Sequence, residues 1–287
     1  MYNYFIFWFL LALGPLNEVQ GQTDFGGAAN SLAHAQWEEK TIADGIVWKY
    51  GQFGNLFDSR QSITIFEVDL SKDHIQVAVP HLESGFAKTS EFGEGIGAVA
   101  AINGSFFNTK TGGSVVFLKS HDSIYTPTAG KARDYRENAG FAMDREGRVA
   151  IVKRPDQGWE TLVHYASILA SGPMLLHGDV AIKQKEEAFN TNRHPRTAIG
   201  LTADHRLLAV VVDGRNPNAH GMSMGELAHL MESLGCVQAM NLDGGGSSTA
   251  WIQEHGVVNN PSDNKLFDHW GERPVANAIC FMVGPKP

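Results

Sequence analysis

Residues 238–252, QAMNLDGGGSSTAWI, constrain this chain more than any other stretch. The apolar run over 237–242 reads as a buried strand, and it stops at Asp243, three glycines and two serines, a composition no packed core selects. Each glycine loses more backbone entropy on folding than any other residue and gives the core no side chain. A ligand-holding turn offsets that loss. Glycine admits positive φ and close backbone approach, so Gly244, Gly245 and Gly246 are read as an anion nest. Ser247, Ser248 and Thr249 add hydroxyl donors, and Asp243 stands at the mouth. The other reading is a plain turn into the β-prone segment 249–252, which needs only one or two glycines. No Lys follows the glycines, and the GxxxxGK[ST] spacing of a nucleotide P-loop is absent.

With 43% hydrophobic residues, a 287-residue chain has ample material for a real core. Net charge is −8 and no Lys/Arg block occurs, which argues against a nucleic-acid partner. Residues 4–13, YFIFWFLLAL, are too short to span a bilayer and have the length of a signal-peptide apolar region, with Val19 and Gly21 before a cleavage point at Gln22. We therefore expect residues 1–21 to be a signal peptide, with an uncleaved anchor as the alternative, and the mature chain to be secreted or periplasmic without a membrane span. Two cysteines support neither a disulfide framework nor a thiolate zinc site, and the scattered histidines form no HExxH pair. No cofactor is expected, the metal ligands are unknown, and a divalent ion such as calcium or magnesium stays open.

Residues 22–44 read as a lead-in, with order beginning near Gly45. Strands are expected at 46–50 and at 62–70 with 74–80 as a hairpin turning at 71–73. A second polar strand end follows at 98–108, AVAAINGSFFN, where an apolar strand stops abruptly at Asn103-Gly104-Ser105, with a plain Asn-Gly turn as the alternative. Residues 114–119, 141–144 and 148–152 are further strands, and 120–138, with Lys131, Arg133, Tyr135 and Arg136, reads as a long surface loop of the kind that forms lids. Strands 197–202 and 207–212 form a hairpin whose second arm ends at Asp213-Gly214-Arg215, the third polar strand end. Ser223 and Glu226 make a capping box for a helix with Leu227, Leu230, Met231 and Leu234 on one face and Gly235 just past its end. A last strand covers 275–283. Strands outnumber helices and come mostly as hairpins, so the expected class is α+β: a mixed or antiparallel sheet core with few helices, in one domain over 45–287.

The segments NGSFF at 103–107, SGP at 171–173, RTAIG at 196–200, VVDGR at 211–215, GELAHLM at 225–231, NLDGGGSST at 241–249 and RPVANAI at 273–279, in this order and spacing, resemble the phosphodiester glycosidase family. The likeness covers roughly 45–283; Ser105 departs from a glycine usual in the family. It implies a hydrolase that cleaves a sugar 1-phosphodiester, such as an α-N-acetylglucosamine 1-phosphodiester or a phosphorylated glycan, in one cavity lined by the polar strand ends. Arg215 and Arg196 become candidates for holding phosphate, Asp213 and Asp243 the carboxylates that favour an oxocarbenium-like transition state, and Asn103 and Asn241 orienting amides. The 244–248 loop becomes the nest, and His194 a candidate acid or base. Each has a plainer use: Arg196 or Arg215 as the ion-pair partner of Asp213 or Asp243, Glu226 as a cap, His194 as a loop residue, Arg273 as a structural residue. The family places Cys236 and Cys280 beside core strands, where they form a disulfide or stay as buried thiols. A P–O-cleaving phosphodiesterase and a non-catalytic glycan-binding module stand as alternatives.

Overall fold

The computed structural model describes residues 34–129 and 136–284, together with Gly27 and Leu32. The expected signal peptide and residues Lys131, Arg133 and Tyr135 of the surface loop lie outside the described residues. Eighteen strands are described: β1 Glu38–Ala43, β2 Ile46–Phe53, β3 Gln61–Asp69, β4 Ile75–Ala78, β5 Ala100–Asn103, β6 Leu118–Ser120, β7 Ser123–Thr126, β8 Ala139–Asp144, β9 Val149–Lys153, β10 Tyr165–Ser171, β11 Met174–His177, β12 Val180–Ala181, β13 Arg196–Thr202, β14 Arg206–Val212, β15 Cys236–Asn241, β16 Ala250–Ile252, β17 Gly256–Val257 and β18 Ala278–Val283. The helices are α1 Thr89–Gly95, α2 Ala188–Thr191 and α3 Met224–Ser233.

The strands form three sheets: β1-β2-β3-β14-β13-β15-β11-β12, β7-β6-β10-β8-β9 and β17-β16-β5-β18-β4. Neighbouring strands in all three run antiparallel. The described residues are mostly β with these three helices fully described, and one core unites them: Phe66, Phe141, Ile199, Met240, Ile279 and Phe281 bring side chains of all three sheets into one buried cluster. The central strands of the large sheet are apolar on both faces. Phe66 and Val68 of β3 enter that shared core, while Ile63 and Ile65 face Leu227, Leu230 and Met231 of α3. That two-sided burial is why these strands read as continuous apolar runs rather than alternating ones. The capping box of α3 is formed, with Ser223 Oγ accepting from the Glu226 N–H and Glu226 accepting from the Ser223 N–H, and Gly235 beyond it has φ +85°.

Two expectations are corrected. Ordered strand structure begins at Glu38, not near Gly45, because β1 pairs with β2; it is a charged, largely exposed edge strand with no apolar period to announce it. Segments 62–70 and 74–80 are strands but not a hairpin. Both edges of β3 are occupied, by β2 and β14, so β4 passes to another sheet and pairs with β18.

Register gathers the polar strand ends. Arg196 at the start of β13 faces Val212 at the end of β14, and Ala198 faces Asn241 at the end of β15. Asp213, Asp243 and Pro195 therefore emerge at one edge of the large sheet, and β5 delivers Asn103 to the same place from another sheet.

Of the two readings left open for the cysteines, the structure has the buried thiols: Cys236 on β15 and Cys280 on β18 are both free and buried, and burial pushes each thiol up to about 12. Two thiols should react with an aromatic disulfide reagent in denatured, unreduced protein and neither in the native protein on the same time scale. A count of zero after denaturation would contradict the structure.

Candidate functional site

The NLDGGGSS segment is the crossover from one sheet to another. β15 ends in the large sheet and β16 pairs with β5, so the hairpin reading of 249–252 is corrected. The crossover is held by Asn103. Its Oδ1 accepts from Thr197 Oγ1 (2.7 Å) and the Thr249 N–H (3.1 Å), and its Nδ2 donates to the Asp243 carbonyl (2.7 Å). Asn103 is fully buried and acts as a positioning residue. Asn241 plays a related part, donating through Nδ2 to the carbonyls of Gly172 (2.8 Å) and Leu242 (2.5 Å), while its buried Oδ1 has no partner among the described residues.

The three glycines meet different demands. Gly244 passes so close to the strand entry that a Cβ would lie 2.7 Å from the Pro195 carbonyl oxygen. Gly245 has φ +65°, and its face is covered by Arg215, whose Nη2 would stand 3.0 Å from a Cβ. A Cβ at Gly246 would overlap Asp263 Oδ1. Most of the N–H groups of the expected backbone nest are already bonded. The N–H groups of Gly244, Gly245, Ser247, Ser248 and Thr249 donate to Asp243 Oδ1, Pro195 O, Gly244 O, Gly245 O and Asn103 Oδ1. What this loop presents instead is side-chain chemistry. The hydroxyls of Ser248 and Thr249, like that of Ser171 beside Asn241's partner Gly172, are buried without a partner among the described residues.

The two aspartates differ. Asp243 is partly exposed; burial raises its carboxyl above the ordinary range, against the opposing pull of Ser247, the Gly244 N–H, Arg273 and Arg136. Asp213 is only 2% exposed, and four donors fill its oxygens: Asn259 Nδ2 (2.9 Å) and the Asn260 N–H (2.9 Å) at Oδ1, Ser62 Oγ (2.7 Å) and Asn260 Nδ2 (2.9 Å) at Oδ2. Burial raises its carboxyl too, with these four bonds opposing. Asp213 therefore cannot meet a substrate as built; it is corrected from a catalytic candidate to the buried anchor of the 258–262 segment.

The arginines also sort differently from the sequence reading. Arg196 is 1% exposed, donating through Nε to Met222 O (2.8 Å) and through Nη2 to the carbonyls of Phe189 (2.8 Å) and Asn192 (2.9 Å). It is a brace of main-chain carbonyls rather than a phosphate clamp or an aspartate partner. Burial, then the nearby charge of Arg215, pulls its guanidinium down to about 10. Arg215 is exposed, adopts φ +60° and lies over Gly245. His194 is bonded through its backbone to Met222, and burial, then Arg196 and Arg215, holds its imidazole below the usual value.

Sequence reasoning missed the supports. Asn259 and Asn260 follow a two-residue strand in a loop, and nothing in their spacing points to an aspartate 46 or 47 positions earlier. Arg273, read as structural, forms a bidentate pair with Asp263 (2.6 Å to each oxygen) beside Gly246, and its charge reaches Asp243. Arg136, read as a loop residue, lies against Phe106 and Phe189 with its charge also acting on Asp243. Among the described residues no group of three or more His, Cys, Asp or Glu is arranged to hold a metal ion. A separate cleft of about 260 Å³ opens at the other end of β13 and β14, by Thr202 and Asp204; its Lys49 and Arg206 are paired with Glu67.

A model of the phosphodiester glycosidase family matches residues 96–282. The mouse (Mus musculus) N-acetylglucosamine-1-phosphodiester alpha-N-acetylglucosaminidase is 25% identical over 200 residues, covering 64% of this chain and 37% of that protein. The SPbeta prophage-derived uncharacterized protein YomE of Bacillus subtilis (strain 168) is 42% identical over 71 residues, 25% of this chain and 11% of its own length. The chain thus spans well under half the length of these curated relatives. Among solved structures, the zebrafish catalytic domain of N-acetylglucosamine-1-phosphodiester alpha-N-acetylglucosaminidase, auto-inhibited by its pro-peptide, superposes with a TM-score of 0.66 at 17% identity, over 87% of this chain and 88% of that one. The likeness establishes a shared fold.

Two outcomes follow from the geometry. Asp213→Ala removes the acceptor of four donors, of which Ser62 Oγ and Asn259 Nδ2 keep Tyr50 Oη and the Ser248 carbonyl; with both donors of Asn260 left unpaired at about 1–3 kcal/mol each, the variant should lose at least ~2 kcal/mol of unfolding free energy, and an unchanged urea midpoint would remove its anchoring role. For His194 the folded pKa lies below the 6.5 of the free side chain, so the unfolded chain takes the proton first as pH falls. Stability should therefore decline below pH 6.5 until the folded pKa is passed. His194→Gln should flatten that part of the profile, and parallel curves for variant and wild type would refute the shift.

Proposed function

The chain belongs to the phosphodiester glycosidase family, and from that premise we propose that it is a secreted or periplasmic hydrolase of a sugar 1-phosphodiester, such as an α-N-acetylglucosamine 1-phosphodiester, acting at the glycosidic bond. The observation that supports this best is the charge around Asp243. In a chain of net charge −8, the electrostatic neighbours of this carboxyl are Arg273 and Arg136, while Arg215 covers the adjoining Gly245 and lies near Arg196 and His194. A carboxyl whose charged neighbours are arginines, with Arg215 over the adjoining glycine, suits a substrate whose anion lies beside the carbon that becomes cationic.

The chemistry assigned to these residues uses a single carboxylate. Water adds to the anomeric carbon, the bond from that carbon to the phosphate oxygen breaks, and its electron pair leaves with the phosphate monoester. Such a leaving group is already a stabilised anion and asks for no proton donor, which fits a site where Asp213 is sealed away. Asp243 stabilises the oxocarbenium-like charge, Arg215 holds phosphate oxygens, and His194, kept below its usual pKa by burial and then by its cationic neighbours, takes the proton of the attacking water. Export is read from residues 4–13, and among the described residues no helix is long and apolar enough to cross a membrane.

Asp243→Asn should keep the fold while kcat falls by roughly a thousandfold, the scale on which preorganised electrostatic groups act. The wild-type reaction run in ¹⁸O-water should place the label in the released sugar. Label in the phosphate would establish P–O cleavage, and binding without turnover would establish a glycan-binding module.

A further inference from the structure

Arg136 is positioned more firmly than a loop residue needs to be. The residue after it, Glu137, is 2% exposed, and its Oε1 accepts from the Phe117 N–H (3.3 Å) and from Nε1 of the fully buried Trp159 (3.1 Å). Its Oε2 lies 3.8 Å from Arg154 Nη1. Asn138 follows and accepts the Met174 N–H through Oδ1 (2.7 Å). Two consecutive side chains thus fix the backbone to the β6-β10-β8 sheet and to β11, and Arg136 leaves from that fixed point. Its guanidinium carbon lies 5.5 Å from the ring centroid of Phe106 and 5.3 Å from that of Phe189. Phe189 also carries Arg196 at 5.1 Å.

Burying a carboxylate such as Glu137 carries a desolvation cost, and burial does push its carboxyl above the ordinary range. A surface loop that only needed closing has no use for that cost. Two aromatic rings within cation–π distance hold the guanidinium beside the site, and a planar fork suits two oxygens of an oxyanion. The charge of Arg136 is already felt at Asp243.

We propose that Arg136 is an anion-binding residue of this site, taking phosphate oxygens together with Arg215 in the role that sequence reasoning gives to Arg196, and that Glu137 is its positioning residue. The ligand chemistry is a phosphate monoester or diester oxyanion. The assignment deepens the glycosidase reading and rests on it for the identity of the site, though not for its test.

Titration of inorganic phosphate into the full chain at low ionic strength, followed by calorimetry, tests it. Wild type should bind saturably, and Arg136→Ala should weaken binding by about tenfold or more, the usual worth of a charge-assisted pair. Arg136→Lys, which keeps stem and charge, should recover only part of the loss and serves as the decisive variant if the alanine protein does not fold. Glu137→Ala, measured where it is fully folded, should also weaken binding. Combined with Arg136→Ala it should weaken it no further, an outcome that lost packing alone does not produce. Wild-type phosphate affinity in either folded Arg136 variant, or no saturable binding by wild type, overturns the proposal. Phosphate binding that depends on Arg136 in an enzyme without sugar phosphodiester turnover would overturn the hydrolase reading and leave this one standing.

Discussion

The buried carboxylate of Asp213 is the interaction on which the site depends. Taking an ionised carboxylate out of water costs several kcal/mol, a cost offset only when its lone pairs are filled by well-placed donors. Ser62 from β3 and Asn259 and Asn260 from the segment after β17 fill them. The same Asn259 accepts the Ala250 N–H and donates to the Ser248 carbonyl, so the carboxylate, the crossover loop and the following segment form one network. That segment leads on to Asp263, whose pairing with Arg273 occupies the space a side chain at Gly246 would need. Removing the third glycine would push against an ion pair, and removing Asp213 would release the segment that carries the pair. This explains a run of three glycines where a turn needs fewer.

Antiparallel register supplies the rest of the geometry. Because β13 runs against both β14 and β15, its first residue stands beside the last residues of its neighbours, and three stretches far apart in sequence reach one edge. Asn103 then joins the sheets, with each end of its amide bonded to a different element. A side chain with one acceptor end and one donor end can bridge a main-chain carbonyl and an N–H at once; an aspartate here would have no donor for the Asp243 carbonyl. The asparagine is required by the joint rather than by chemistry on a substrate.

What was legible in the sequence follows from these causes. The crossover loop was legible because glycine runs are costly wherever they occur, and α3 because its cap and apolar face are local patterns of short period. The β13–β14 hairpin was legible because its turn and both arms are contiguous. The separation of β3 from β4 was not, since it depends on β2 and β14 having filled the edges of β3, which no local pattern records. β1 was hidden by its own exposure. Arg196 and Arg136 show the limit for side chains: one was read as a ligand clamp and the other as surface, yet burial commits the first to main-chain carbonyls and a staple formed by Glu137 carries the second to the site. Residue type gave the charge in both cases, and only tertiary packing gave its direction.

The electrostatics of the site then have a coherent sense. Arg196 is buried against carbonyls and held down to about 10, with the charge of Arg215 adding to the pressure, and His194 is depressed by burial and then by both. Each of these shifts records repulsion among cationic groups or loss of water around them, and each would be relieved by a negative group placed between them. Asp243 supplies one negative group, but its bonds run to Gly244 and its electrostatic partners are Arg273 and Arg136, so it does not neutralise the Arg215 side. An oxyanion bound at Arg215 would raise the proton affinity of His194 by linkage, making it a stronger base when substrate is present than when the site is empty.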